Sequence, residues 1–356
     1  PPAGAAVAGR KPRKRGEVPD MTIKDIAQLS GCGVATVSRV LNNHPDVREE
    51  TRQKVLAVIQ ECGFRPNNNA KHLKQQTATS IAVIVKGTYN MLFADILERI
   101  QSLLRDSDRD ASVYYLDEEA NEVAYASQLC RERKPLGIFF LGGDLELFRK
   151  GFHEIRVPCV LLTNTAEDLG FANLSSLTTD DEAAAEQAVE YLIRRGHRNI
   201  GLLGGNLSCS QIGYQRMLGC WRSFRRHEIP FDEAVQCERC RYSMDSAYVA
   251  TGRLLARFPD LTAIFAVSDV MAIGCIRALK DLGKRVPEDI SVVGYDGIPM
   301  ASYSVPRLTT IKQDAGSFAQ RGVDLLLEAI AQSKAPPRHE LVPFQLVEGE
   351  SVSQLN

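Results

Sequence analysis

No apolar run in the 356-residue sequence approaches the roughly 18 residues a membrane-spanning helix needs. An apolar stretch of signal-peptide type is also missing, so the expected location is the cytoplasm. Catalytic signatures are lacking: there is no GxxxxGKS/T phosphate loop, no GxSxG elbow and no HExxH pair. Leu202-Leu203-Gly204-Gly205-Asn206 is glycine-rich without the spacing of a phosphate-binding loop. Cys237-x-x-Cys240 is the one close pair among nine scattered cysteines, and no second pair completes a zinc frame. An odd, dispersed cysteine set argues against a secreted disulfide framework and reads as structural or incidental thiols. No catalytic residue, metal ligand or cofactor is therefore expected. No leucine heptad runs up to Asn356, which argues against a tetramerising coiled coil and leaves a homodimer through the core as the expected assembly.

A strong overall charge is absent too, the net value being −1. That balance hides an asymmetry. Residues 1–76 hold 13 Lys and Arg against 7 Asp and Glu, whereas the remainder holds 30 against 37. A basic head on an acidic body predicts that one end meets a polyanion. The length predicts two or three domains, and the 44% apolar fraction is enough for a sizeable core.

The basic head contains the stretch around which the chain is organised, TIKDIAQLSGCGVATVSRVL from Thr22 to Leu41. Ile23, Ile26, Ala27 and Ser30 fall at helical spacing behind Thr22, a suitable N-cap. Gly31-Cys32-Gly33 breaks the helix, with two glycines offering the backbone freedom of a sharp turn. A second helix follows from Val34, with Val37, Val40 and Leu41 inward and Val34, Ala35, Ser38 and Arg39 outward. The pattern admits two readings, a DNA-binding helix-turn-helix and a helical hairpin inside a larger core. A third helix from about Arg48 to Cys62, stopped by Gly63, completes a small module and favours the first. Before it, residues 1–20 form a basic arm expected to be disordered, either adding phosphate contacts or having no role. After it, residues 66–79 read as a polar hinge. Its one large apolar residue, Leu73, is either an isolated exposed leucine or a wedge for a minor-groove base step.

From Ser80 onward short apolar runs alternate with amphipathic helices. Strands are expected at 81–85, 112–116, 137–141 and 158–162, then at 200–203, 263–267 and 292–295, with closing strands at 309–312 and beyond Val342. Helices intervene, for example at 94–105, 181–195, 212–226, 247–257 and 270–282. Alternation of this kind predicts parallel sheets in two similar Rossmann-like lobes, divided near residues 163–179, with a ligand cleft at the carboxyl ends of the strands.

The stretch from Thr22 to Leu41, followed by VREETRQKV, GFRPN, AKHLK, RRGHRNIGLLGG, RMLG, SDVMAIG, VPEDISVVGYD and LTTI, resembles the lactose/galactose repressor family over nearly the whole chain from Thr22 to Val352. The resemblance implies an all-α helix-turn-helix headpiece (21–65), a hinge helix (66–79) and a periplasmic-binding-protein-like α/β core (80–356). It also implies a dimer on a near-palindromic operator, with DNA affinity set by a small molecule in the cleft, a sugar or sugar derivative by family default. Position by position, it puts Val34, Ala35 and Arg39 against bases, the Val-Ala pair being of galactose-repressor type. Thr22, Thr36, Ser38 and Asn42 match polar DNA-contacting positions. Leu73 matches the hinge wedge, with Asn67, Ala70 and Lys74 around it. For the effector it points to Arg216 and Asp296, with Ser268 and Asp269 at a strand end and Phe93 and Tyr242 as aromatic cleft positions. A guanidinium fork and a carboxylate suit a hydroxylated ligand.

Several positions depart from the family pattern. Gly33 replaces a usual Ser cap in the headpiece; Ile212 replaces a small hydroxyl residue and Thr163 an acidic one, so the pocket is expected to be less polar than a simple-sugar site or differently arranged. Glu350 replaces a usual Arg, for which the residues alone offer no reading. His197 in RRGHRN reads as structural. The leading function is a ligand-controlled transcriptional regulator, most simply a repressor. The alternative is a solute-binding protein for sugar uptake, which the core alone permits but the basic headpiece and absent leader oppose.

Overall fold

The computed structural model describes residues 23–41, 47–62, 80–87, 90–204, 211–332 and 335–355. Two compact units divide the chain, 1–74 and 75–356. Within the first unit, α1 (Ile23–Ser30), α2 (Val34–Leu41) and α3 (Glu49–Glu61) pack around Ile26, Ala27, Val37, Val40 and Val55. Ser30 is buried with them, its hydroxyl donating to the Ile26 carbonyl at 2.7 Å, so its polarity costs little. Of the two turn glycines only Gly31 takes a left-handed conformation, with φ of 64°. Gly33 instead opens α2, its carbonyl accepting from the amides of Thr36 and Val37. Glycine there loses only the side-chain cap a serine supplies.

The second unit begins with β1 (Ser80–Lys86), α4 (Met91–Asp106), β2 (Asp110–Leu116), α5 (Glu122–Glu132), β3 (Ile138–Leu141), α6 (Leu145–Gly151), β4 (Cys159–Leu162) and β5 (Leu174–Thr178). It continues through α7 (Asp181–Arg194), β6 (Ile200–Gly204), α8 (Gln211–Arg226), α9 (Glu233–Gln236), β7 (Cys237–Arg239), α10 (Met244–Arg257), β8 (Ala263–Ala266), α11 (Asp269–Asp281) and β9 (Ser291–Asp296). It closes with α12 (Pro299–Tyr303), β10 (Thr309–Gln313), α13 (Ala315–Ala331), β11 (His339–Leu341) and β12 (Phe344–Val347).

The strands form two six-stranded sheets, ordered β11-β5-β4-β3-β1-β2 in lobe 1 and β12-β10-β9-β8-β6-β7 in lobe 2. All pairs are parallel except β10 with β12. Strand β1 shows why lobe 1 is three-layered. Ile81, Val83 and Val85 enter one core, while Ala82 and Ile84 enter another with Phe140, Phe148 and Phe152. A strand buried on both faces needs an unbroken apolar run, which SIAVIVK supplies. Helix α4 covers it through Leu92, Phe93, Ile96, Ile100 and Leu104, and Asn90 caps that helix by accepting from the Leu92 and Phe93 amides.

The chain crosses between lobes after β5, after β10 and after β11, because α7 packs on lobe 2 strands and α13 on lobe 1. The expected divide at 163–179 is therefore too broad: Leu174–Thr178 is a strand of lobe 1, and the first crossing is confined to the residues between Thr178 and Asp181. Helices α7 and α8 approach closely at Gly219, where a methyl group would strike the Glu182 carbonyl. Glu350 acquires a role: its carboxylate takes Arg307 Nε at 3.0 Å and Nη2 at 2.9 Å, while its amide donates to the Arg307 carbonyl. That pairing clips the end of the chain onto the start of β10. Among the described residues no helix is long and apolar enough to cross a membrane.

Candidate functional site

The headpiece presents one outward helix face. Val34 is 44% exposed at the start of α2, and Arg39 is exposed one turn further on. Thr36 is half-buried between them. An apolar side chain followed by a guanidinium suits a base edge, since the first can meet a thymine methyl and the second can fork onto guanine. Ala35 and Ser38 fall within α2, but their side chains lie outside the described residues. So do Thr22, Asn42, Asn67, Ala70, Leu73 and Lys74, and with them the basic arm and the hinge.

In the core, a polar network gathers where the strands of lobe 2 end. Arg216 on α8 is buried, its Nε donating to Asp181 at 2.8 Å and its Nη1 to the Val267 carbonyl at 2.5 Å. The guanidinium lies 3.7 Å from the Tyr295 ring centroid, a cation–π contact, and the Tyr295 hydroxyl donates to the same Asp181 oxygen at 2.8 Å. Asp296, the last residue of β9, accepts from Ser268 at 2.9 Å and from Gln313 at 2.9 Å. Gln313 in turn accepts from Thr179 at 2.8 Å, which ties two of the crossing segments together.

These contacts set the charge states. Burial pushes the Asp296 carboxyl up to about 6, against the pull of Arg216 and its hydrogen bonds. Burial alone works to lower the Arg216 pKa, but Asp181, Tyr295 and Asp296 overcome it and hold the guanidinium charged. Burial also pushes the Tyr242 hydroxyl up to about 12. That hydroxyl is the one buried side-chain oxygen or nitrogen among the described residues without a hydrogen-bond partner. A buried polar atom left unpaired costs free energy, so such an atom marks a place for a ligand group or a water.

Of the residues expected at the effector site, Arg216, Ser268 and Asp296 stand together in this way, and Tyr242 lies near enough to feel the charges of Arg216 and Asp296. Phe93 stands apart on lobe 1, buried against Gly142 at the end of β3. Asp269 faces away from its neighbour Ser268. Its carboxylate takes the Thr310 hydroxyl at 2.6 Å and the Ile298 amide at 2.9 Å, bracing the loop after β9. Burial, then the nearby Asp296, raises its pKa well above the usual carboxylate range. Gly294 makes room for it, since any side chain there would strike the Asp269 carboxylate.

Sequence reading missed Asp181, Tyr295, Gln313 and Thr179. The signal available was the doubled Asp180-Asp181: Asp180 caps α7 by accepting from the Ala183 amide, which frees Asp181 to turn inward.

Strain marks the same strand ends. Asp296 has φ of 116° and Thr163 φ of 67°, left-handed values that a non-glycine residue adopts at a cost. They terminate β9 and β4, the equivalent strands of the two lobes. His197 is structural, bonded to Thr262 at 3.1 Å and to the Ser353 carbonyl at 3.2 Å. Burial pushes both Cys237 and Cys240 up to about 12, keeping them as thiols. Among the described residues no three His, Cys, Asp or Glu side chains group as a metal site.

Comparison with known proteins accounts for both units. Residues 22–67 match the model of bacterial regulatory proteins of the lacI family. Residues 189–352 match the periplasmic binding protein-like domain. The HTH-type transcriptional regulator MalR of Clostridium butyricum is 36% identical over 341 residues, covering 93% of this chain and 99% of MalR. The probable HTH-type transcriptional repressor ExuR of Bacillus subtilis is 31% identical, covering 94% and 99%. Among solved structures, the lac repressor dimer bound to operator and the anti-inducer ONPF is 27% identical, with a TM-score of 0.68 and coverage of 94% and 99%. The complex of the transcriptional regulator CelR with cellobiose is 25% identical, with a TM-score of 0.68 and coverage of 93% and 99%. These relatives are DNA-binding regulators and not enzymes. The chain belongs to the lacI family of bacterial regulatory proteins, as a transcriptional regulator with a helix-turn-helix headpiece and a periplasmic-binding-protein-like core.

Proposed function

We propose that the protein is a repressor that binds a near-palindromic operator as a homodimer, with an uncharged, hydroxyl-rich molecule between the lobes setting DNA affinity. A sugar or sugar derivative has the required chemistry. The observation that carries this reading is the charge balance at Arg216. Its guanidinium is already matched by Asp181, and Asp296 stands beside it. A phosphate placed there meets two carboxylates, whereas sugar hydroxyls can donate to Asp296 and pair with the unpartnered Tyr242 hydroxyl. Cellobiose, the partner of CelR in its complex, is a molecule of this class.

On the DNA side, Val34 and Arg39 are the proposed base contacts, with Ala35, Thr36 and Ser38 beside them on α2 and Thr22 and Asn42 flanking it. The hinge residues Asn67, Ala70, Leu73 and Lys74 are proposed to dock in the minor groove, Leu73 as the wedge. For the dimer, Tyr303 and Val305 support an interface, being 84% and 91% exposed at the end of α12 and two residues beyond it. Effector binding changes the relation of the lobes, hence the spacing of two headpieces, hence operator affinity.

The test is a titration of a labelled palindromic operator of galactose-repressor type, at fixed salt, with and without a panel of neutral sugars and sugar phosphates. Specific binding altered by a neutral sugar supports the proposal. A response to sugar phosphates alone overturns the charge argument, and sequence-independent binding throughout overturns the proposed operator.

A further inference from the structure

The sheet orders place all three crossing segments at one edge of the core. Strands β5 and β11 flank that edge in lobe 1, and β10 and β12 flank it in lobe 2. The opposite edges are β2 and β7. From β5 to β2, and equally from β10 to β7, there are four strand spacings, about 19 Å at the usual inter-strand distance.

Across that far edge the lobes are joined by charge. Arg241, just after β7, donates from Nη2 to both oxygens of Asp117, at 2.9 and 2.7 Å, and from Nε to Glu118 at 2.5 Å. Both carboxylates follow directly after β2. Every other ion pair among the described residues of the core joins groups within one lobe.

Arg241 is held in place. Its amide donates to Ser246 at 3.1 Å, its carbonyl accepts from Ser243 at 2.8 Å, and the preceding Cys240 amide is bonded to Gly204. Asp117 is fixed too, accepting from the Glu119 amide at 3.0 Å. The next residue after Arg241 is Tyr242, whose buried hydroxyl has no hydrogen-bond partner.

We propose that Arg241, Asp117 and Glu118 form a latch that holds the two lobes closed on the side opposite their hinge. A rotation of about 10° at the crossing segments displaces the far edge by about 3 Å at this lever arm, enough to break these bonds. A charge cluster is well suited to the task. Being exposed it is weak, so it biases the open and closed populations without locking either. Opening frees Arg241 and carries the Tyr242 segment away from lobe 1. The latch requires only the two-lobed core and does not depend on the ligand or operator proposed above.

The test is single-molecule energy transfer between dyes on unnatural residues at Lys134 and Asp260. Both positions are exposed, one in each lobe. The full chain is used, mixed with excess unlabelled protein so that each assembly carries one labelled chain. Arg241→Glu is expected to raise the ratio of open to closed molecules about threefold to fivefold, the scale of a good exposed pair. Arg241→Gln, which removes the attraction without adding repulsion, shifts it the same way by less. Combining Arg241→Glu with Asp117→Arg and Glu118→Arg returns the ratio to within about twofold of the parent. Unchanged distributions in both single variants overturn the latch, as does a charge swap that fails to restore closure.

Discussion

Lobes 1 and 2 run six strands in equivalent spatial order and carry strained residues at the ends of equivalent strands, yet those strand ends carry different side chains. Lobe 2 ends β9 with Asp296 and surrounds it with Arg216, Asp181, Ser268 and Gln313. In lobe 1 Thr163 follows β4, and the Phe93 ring is buried against Gly142. Its own buried charges are spent internally: Lys86 meets Glu122 at 2.6 Å, and Glu122 also accepts from the Asp144 amide. One backbone design thus carries a buried polar network at the strand ends of one lobe and a quieter set of side chains in the other. Function follows from which side chains the strand ends carry, not from the fold.

The comparison breaks most sharply at the two buried ion pairs. Arg216→Ala leaves Asp181 buried without its cation, and we expect a loss of about 3–5 kcal/mol in chemical denaturation together with loss of effector binding. Lys86→Ala, its counterpart in lobe 1, is expected to cost about 3 kcal/mol through the stranded Glu122 while effector affinity, by calorimetry, stays near the parent value. Equal loss of effector binding in both variants erases the distinction between the lobes. Gly219→Ala forces α7 and α8 of lobe 2 apart and is expected to destabilise by about 1–3 kcal/mol, seen as a lower denaturation midpoint.

Asp296 supplies a pH signature that Thr163 cannot. Its pKa is raised from 3.8 to about 6, so the folded state holds this proton where the unfolded chain has lost it. The stability contributed by the group is therefore full below pH 4 and declines as pH rises through about 6. Effector affinity runs the other way if hydroxyls donate to the ionised carboxylate. It is expected to be about tenfold weaker at pH 5 than at pH 7 in calorimetry, and flat in Asp296→Asn. The smallest effect belongs to lobe 1. Thr163→Gly releases the left-handed strain and is expected to stabilise by up to about 1 kcal/mol, read from thermal unfolding.

What the sequence reveals, and what it conceals, follows chemistry. Strands buried on both faces read as apolar runs, so β1, β3, β4, β6, β8 and β9 are legible. Strand β5 is not, because Leu174–Thr178 is mostly hydroxyl side chains. It is buried all the same, since Ser176 pairs with the Ala166 amide and His339, and Ser175 accepts from the Arg338 amide. Strands β7 and β11 are three residues each, too short to show a period. Helices α5, α6 and α13 fill three of the stretches between strands, α13 being 17 residues long. In the site, the resemblance leads to Arg216 and Asp296, but their partners come from distant segments. Asp181 lies 35 residues from Arg216 and Gln313 lies 17 from Asp296, separations that no local pattern reports.

The central claim is that a ligand held by lobe 2 alters DNA affinity, and coupling of this kind is reciprocal. The direct measurement is effector affinity by calorimetry with and without saturating operator, beside operator affinity with and without saturating effector, all at one salt concentration. Coupling predicts two affinity ratios that are equal and differ from one, by about 5–150-fold in typical cases. Tight binding of both ligands with both ratios at one would contradict it.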